Sequence, residues 1–271
     1  MKNNINSKNR IDSMFEALRE KNKKALVTFL TFGDPDIETS KKLVLAMEDS
    51  GADLIELGIP FSDPMAEGPV IQAANVRALK HEINLDIIFK AVAELREETQ
   101  VPLVFLMYFN SVLSYGPEKF FAECQKAGVD GVIIPDLPFE ESDEVYDLTQ
   151  KYGVWQISMI APTSSEERTQ KICERAKGFL YCVSSMGVTG VRQDFSTNFD
   201  EMFGMLNKYS DIPKCIGFGI STPEHIENLK KYCDGLIVGS AIVKTIAAGE
   251  NEADKINGVK ELTSALKAPL R

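Results

Sequence analysis

With 271 residues, 44 % of them hydrophobic and 26 % charged, the chain has length for two modest domains or one large α/β barrel, and for a sizeable core. A net charge of −10 with scattered basic residues sets aside nucleic acid and anionic membrane surfaces as partners. Five cysteines without a CxxC pair and two distant histidines, His81 and His225, offer no metal-ligand cluster, and the odd cysteine count suits a reducing compartment. The N-terminal MKNNINSKNR is polar with no apolar h-region behind it, and no apolar run reaches bilayer-spanning length, so a soluble cytoplasmic protein is expected.

An amphipathic pattern from Ile11 to Glu20 opens the chain and is placed to lie across the closed end of a barrel. Eight strand-like runs follow: Ala25 to Phe32, Leu54 to Ile59, Pro102 to Phe109, Gly131 to Asp136, Val154 to Ala161, Phe179 to Ser184, Lys214 to Gly219 and Leu236 to Gly239. Helical patterns alternate with them at Ile37 to Ser50, Leu85 to Thr99, Glu118 to Ala127, Glu140 to Lys151, Glu166 to Ala176, Phe199 to Tyr209, Pro223 to Lys231 and Ala253 to Lys267. Ser221-Thr222-Pro223 reads as a helix start, with the proline where its missing N–H does no harm. No GxGxxG turn follows the first strand, and no linker or composition break marks a second domain. The expectation is one (β/α)8 TIM barrel over residues 1–271, a single domain with an extra N-terminal helix.

Chemistry in such a barrel sits at the C-terminal strand ends, and there this sequence is unusual. LIELGIPFSDPMAEGP, Leu54 to Pro69, carries Glu56 on an apolar strand and then Asp63 and Glu67 in a proline-flanked loop. Either Glu56 ends the strand facing water, or it is buried and has work to do, as carboxylates in proton-transfer clefts are. The sixth strand leads into SSMGVTGVRQDF, Ser184 to Phe195, long enough to act as a lid. The seventh and eighth end in GFGIS and GSAIV, where Gly219 and Gly239 either permit tight turns or let backbone N–H groups approach a phosphate.

Taken together, GIPFSDPMAEGPVIQAANVRAL, LVTFLTFGDPD, LMYFN, the SxGVTGxR lid, GFGIS and GSAIV resemble the tryptophan synthase α subunit family, in the same order and over about Ile11 to Lys267. The resemblance implies retro-aldol cleavage of indole-3-glycerol phosphate to indole and glyceraldehyde 3-phosphate, a lyase reaction of tryptophan biosynthesis without metal or organic cofactor. It makes Glu56 the general acid and base at the indole ring carbon, and Glu67 the carboxylate that takes the indole N–H. Here the sequence departs from the family's LADGP: MAEGP has a carboxylate one methylene longer, a shift on the order of 1 Å that bears on rate.

By the same resemblance, Phe29, Leu106, Tyr108, Ile133, Tyr181 and Phe218 line the indole pocket, with plain barrel core as the alternative for each. Phosphate binding falls to backbone around Gly190, Gly219, Gly239 and Ser240. Asp63 meets Thr189 of the lid to close the site, while Arg192 and Lys244 are read as solvated. Trp155 is read as packing, both histidines as surface, and Cys182 and Cys215 as inert strand residues. The implied partner is a tryptophan synthase β subunit in an α2β2 heterotetramer, carrying pyridoxal phosphate and receiving indole, with Pro60, Met65, Pro138 and Phe139 as interface candidates. A free-standing indole-3-glycerol-phosphate lyase and a weakly active allosteric activator of β are the alternatives, and other phosphate-binding barrels leave the PFSDP loop unexplained.

Overall fold

The computed structural model describes residues 8–183, 198–217 and 219–271. Its sheet contains β1 (Ala25–Thr31), β2 (Leu54–Gly58), β3 (Leu103–Leu106), β4 (Gly131–Ile133), β5 (Trp155–Gln156), β6 (Ser158–Ile160), β7 (Leu180–Val183), β8 (Lys214–Gly217) and β9 (Gly235–Val238). All pairings are parallel, in the spatial order β5-β4-β3-β2-β1-β9-β8-β7-β6. The two edges of that order follow one another in the chain. The expected fifth strand pairs with β4 up to Gln156, passes Ile157, and pairs with β7 from Ser158 onward, which curls the sheet into a nearly closed barrel. Ile157 itself still donates its amide to the Val132 carbonyl at 2.9 Å.

Strand residues alternate between two cores, as the period of two requires. Val27, Leu54, Val104, Ile133, Ile157, Tyr181, Cys215 and Ile237 fill the barrel interior. Their neighbours Leu26, Ile55, Leu103, Phe105, Val132, Ile216 and Leu236 belong to the layer between sheet and helices. Both layers are apolar because parallel strands are buried on both faces.

The N-terminal helix, Arg10–Glu20, plugs one end of the interior. Ile11 and Phe15 join the inner cluster, and the Trp155 indole donates to Asp12 at 3.0 Å. The Asn9 side chain accepts from the Ile11 amide and donates to the Asp130 carbonyl, so the helix start is tied to the barrel. At the same end Asp53, Asp130 and Asp234 each accept the amide N–H of a neighbouring strand, from Leu26, Leu103 and Lys214 at 2.7, 2.9 and 3.0 Å. Asp130 also holds Arg96 and Arg10 at 2.7 and 2.9 Å in a triad that is buried except at Arg10. With this end sealed by packing and charge, access to the interior is left to the C-terminal strand ends.

Helix boundaries follow local chemistry. Thr222 caps Pro223–Leu229 by accepting from the His225 amide, as the Ser-Thr-Pro run implies. The pattern at Glu140 to Lys151 resolves into a 3-10 turn, Phe139–Glu141, and a helix, Asp143–Tyr152. Three helices lack a clear sequence pattern: Pro69–Ala78, Phe109–Tyr115 and Ser240–Ala248. All three begin next to the C-terminal end of a strand or its loop. No helix among the described residues is long and apolar enough to cross a membrane.

Candidate active site

Glu56 is the third residue of β2, in register with Phe29 on β1 and Val104 on β3. Alternation with Leu54 turns its side chain into the barrel, where it is 1 % exposed. Its Oε1 has no hydrogen-bond partner among the described residues. A carboxylate left this way is unfavourable in an apolar interior, and burial pushes the Glu56 pKa up to about 8. The group is therefore a neutral acid at pH 7 that ionises just above it.

The walls around it are aromatic rings leaning over glycines. A Cβ on Gly217 would lie 2.5 Å from the Tyr181 hydroxyl, and one on Gly58 would lie 2.5 Å from the Phe29 ring. Phe29, Ile71, Leu106, Pro135, Met159, Tyr181, Ile220 and Ile237 give the cleft its apolar lining; Glu56, Ala66, Glu67, Gly219, Gly239 and Ser240 complete it. It encloses about 630 Å³ including its open mouth, the size of a small-molecule site.

Glu67 reaches this cleft from the loop after β2. It is 5 % exposed, and its carboxylate accepts from the Tyr108 hydroxyl. That hydroxyl in turn accepts from the Met65 and Ala66 amides, at 2.8 Å each, and the Tyr108 ring stacks on Phe61 with centroids 5.0 Å apart. Burial raises the Glu67 pKa, and the Tyr108 bond and the Glu67 and Ala66 amides pull it back down. Gln72 donates to the Glu67 carbonyl at 2.8 Å, and Arg77 grips Asp34 through two bonds of 2.8 and 2.7 Å, tying the helix Pro69–Ala78 to the loop after β1.

At the ends of β8 and β9 the backbone takes over. Gly219 has φ of +91°, a conformation that favours glycine. Gly239 precedes the helix Ser240–Ala248, whose first turn has no side-chain cap. First-turn N–H groups without a side-chain acceptor are free to take an anion, and no cationic side chain lines the cleft among the described residues.

The structure thus gathers Glu56, Glu67, Phe29, Leu106, Tyr181, Gly219, Gly239 and Ser240 around one cleft. Tyr108 and Ile133 are not in its lining. Tyr108 turns its hydroxyl to Glu67 and the loop amides, and Ile133 packs in the interior cluster below. Asp63 is exposed and accepts from the Ser62 hydroxyl at 2.5 Å. Its expected partner Thr189, together with Gly190, Arg192 and Phe218, lies outside the described residues. Lys244 and His81 are exposed, whereas His225 is half-buried, and all five cysteines are buried. Of the interface candidates, Met65 is 80 % exposed, Pro138 is exposed and Phe139 half-buried, but Pro60 is buried against the barrel. Met159, Ile237, Pro135, Ile71 and Ile220 went unrecognised in the sequence; the first two occupy inward positions that strand alternation marks. Among the described residues no group of three or more His, Cys, Asp or Glu could hold a metal ion.

Comparison with known proteins places these features in one family. The family profile described as tryptophan synthase alpha chain matches residues 15–270. A tryptophan synthase alpha chain of Thermoanaerobacter sp. (strain X514) is 50 % identical over 262 residues, covering 97 % of this chain and 100 % of the relative. One from Clostridium kluyveri is 42 % identical over 262 residues, covering 97 % and 99 %. Among solved structures, Legionella pneumophila tryptophan synthase subunit alpha superposes with a TM-score of 0.87 at 37 % identity, covering 97 % of this chain and 99 % of that one. A chain of Mycobacterium tuberculosis tryptophan synthase gives 0.88 at 32 % identity, covering 98 % and 99 %.

Proposed function

The chain belongs to the tryptophan synthase alpha chain family, and from that premise we propose how its residues carry out the family's reaction. That reaction is the cleavage of indole-3-glycerol phosphate to indole and glyceraldehyde 3-phosphate, a step of tryptophan biosynthesis. The indole ring lies between Phe29, Leu106 and Tyr181, and the phosphate takes N–H groups around Gly219, Gly239 and Ser240.

Glu56 begins as the neutral acid and delivers its proton to the ring carbon that bears the glycerol side chain. The ring becomes cationic, and Glu67 stabilises it by accepting a hydrogen bond from the ring N–H. The Glu56 carboxylate then takes the proton of the adjacent side-chain hydroxyl. As that O–H electron pair forms the aldehyde, the carbon–carbon bond breaks, and its electrons return to the ring to give neutral indole. The acid ends as it started, so the protons balance. On this reading the chain needs no metal or organic cofactor of its own.

One observation carries this reading above the others: a carboxyl wholly buried in the middle of β2, one oxygen without a partner among the described residues, opening on an apolar cleft that holds a second acid. A lone ion-pair or packing role would give Glu56 a partner. Indole release from indole-3-glycerol phosphate, with the aldehyde read by a coupled dehydrogenase, tests the assignment. Glu56→Gln should abolish turnover and leave ligand affinity nearly unchanged, and substantial residual turnover removes Glu56 from the mechanism.

The partner is a tryptophan synthase β subunit, in an α2β2 assembly, which receives the indole and holds pyridoxal phosphate. Exposed Met65 and Pro138, on the loops that flank the cleft, support an interface there. Size-exclusion chromatography with a β subunit should give a complex and faster cleavage. Fast turnover alone with no complex at micromolar concentration would instead identify a free-standing lyase.

A further inference from the structure

We propose that Tyr108 is a positioning residue for Glu67: its hydroxyl anchors Oε2 and so aims the other oxygen of this longer side chain at the substrate's ring N–H. The inference rests on the reading of Glu67 as the partner of that N–H. A phenol has one proton to donate and two lone pairs to offer. Both lone pairs of Tyr108 are engaged, by the Met65 and Ala66 amides at 2.8 Å each. Its single proton then goes to Glu67 Oε2, so the bond runs in one direction and Glu67 must be the acceptor. An ionised carboxylate meets that demand fully.

The phenol is itself fixed. Its ring stacks on Phe61, and the next residue's amide, that of Phe109, donates to Asp136 at 2.9 Å. The hydroxyl is therefore held by the same loop that carries Glu67 and by the end of β3. An aspartate at position 67 would stop one C–C bond, about 1.5 Å, short of it. The glutamate in MAEGP and Tyr108 thus form a matched pair, in which the additional methylene reaches an anchor instead of displacing the charge.

Three titratable groups face Glu67: Tyr108 from the end of β3, Asp136 from the loop after β4, and Glu56 across the cleft. Burial and Asp136 favour the protonated acid; Tyr108 opposes them by donating to the ionised form. Loss of the hydroxyl should therefore move the acid limb of kcat/KM to higher pH. A double-mutant cycle on indole-3-glycerol phosphate cleavage, run with and without a β subunit, reads the coupling.

Tyr108→Phe should lower kcat/KM by about tenfold or more, chiefly through kcat, and raise the acid limb. In a Glu67→Asp background the same change should cost less than about threefold. Equal losses in both backgrounds, or an unmoved acid limb, overturn the pairing. Because Tyr108→Phe also frees two loop amides, 3-fluorotyrosine at position 108 supplies a second arm. It keeps the contacts and donates more strongly, so the acid limb should fall, and a limb that stays or rises overturns the proposal. Wild-type activity in Glu67→Ala would sink the role of Glu67 itself. An inactive Glu67→Ala with uncoupled Tyr108 would sink only the pairing.

Discussion

Replacing Glu56 by Gln should stabilise the protein above neutral pH while removing its activity. The wild-type carboxyl has a pKa of about 8 in the folded protein against 4.5 for the free side chain. Below pH 4.5 both folded and unfolded chains hold the proton, and no penalty exists. Between 4.5 and 8 the unfolded chain gives up its proton while the folded chain keeps it, so stability is lost as pH rises, and above 8 the loss is constant. At about 1.4 kcal/mol per pH unit, the wild type should fall relative to Glu56→Gln by roughly 3 to 4 kcal/mol between pH 5 and pH 8. The amide is neutral and keeps the shape of the neutral acid, with one more N–H to place, so any offset between the two proteins at pH 5 is small and carries no pH dependence of its own. Urea unfolding of both proteins across this range measures the difference, and titrations common to both cancel. A difference that stays flat from pH 5 to pH 8 would refute the neutral buried acid, and with it the source of the proton that cleavage requires.

Ser240→Asp should separate stability from binding: a negative charge in the first turn of Ser240–Ala248 should stabilise the helix by about 0.3–1 kcal/mol yet repel the substrate phosphate, raising KM about tenfold or more at low salt, as thermal denaturation and steady-state kinetics would record. Gly217→Ala would put a Cβ 2.5 Å from the Tyr181 hydroxyl; the ring must move into the cleft, with about 1–3 kcal/mol lost in denaturant unfolding and a higher KM. Arg96→Ala leaves Asp130, whose side chain is 4 % exposed, short of its most buried cation. A loss of about 3 kcal/mol in chemical denaturation, with kcat little changed, is expected because the triad sits at the sealed end of the barrel.

The barrel was legible in the sequence because its evidence is local. Each strand announces itself by a short apolar run, and each helix by its own period. The division of the fifth strand at Ile157 was not legible, since it depends on which neighbour each half meets. The same holds for Asp53, Asp130 and Asp234: one aspartate before a strand reads as a turn residue until the amide it accepts from is known. Glu56 stood out as an acid in an apolar run, and Gly219 and Gly239 as glycines at strand ends. Pro60 reads as interface because a proline in an acidic loop looks exposed, whereas the chain leaves the strand still packed against the barrel.

Tyr108 marks where sequence reasoning stops. An aromatic residue at the end of β3 reads equally well as pocket wall or core, and neither reading says where its proton goes. That destination is fixed by a loop from a different strand, which curls so that two of its amides saturate the phenol oxygen and leave the O–H for Glu67. The consequence is an asymmetry between two acids in one cleft. Burial raises the proton affinity of both, but among the described residues Glu56 Oε1 has no donor to set against it, and Glu67 has a phenol and its own loop amides. A site needing one carboxyl that gives a proton and another that stays charged requires that difference in environment. The two residues are eleven positions apart in one loop-and-strand segment, and what separates their roles is the neighbour each acquires when the barrel closes.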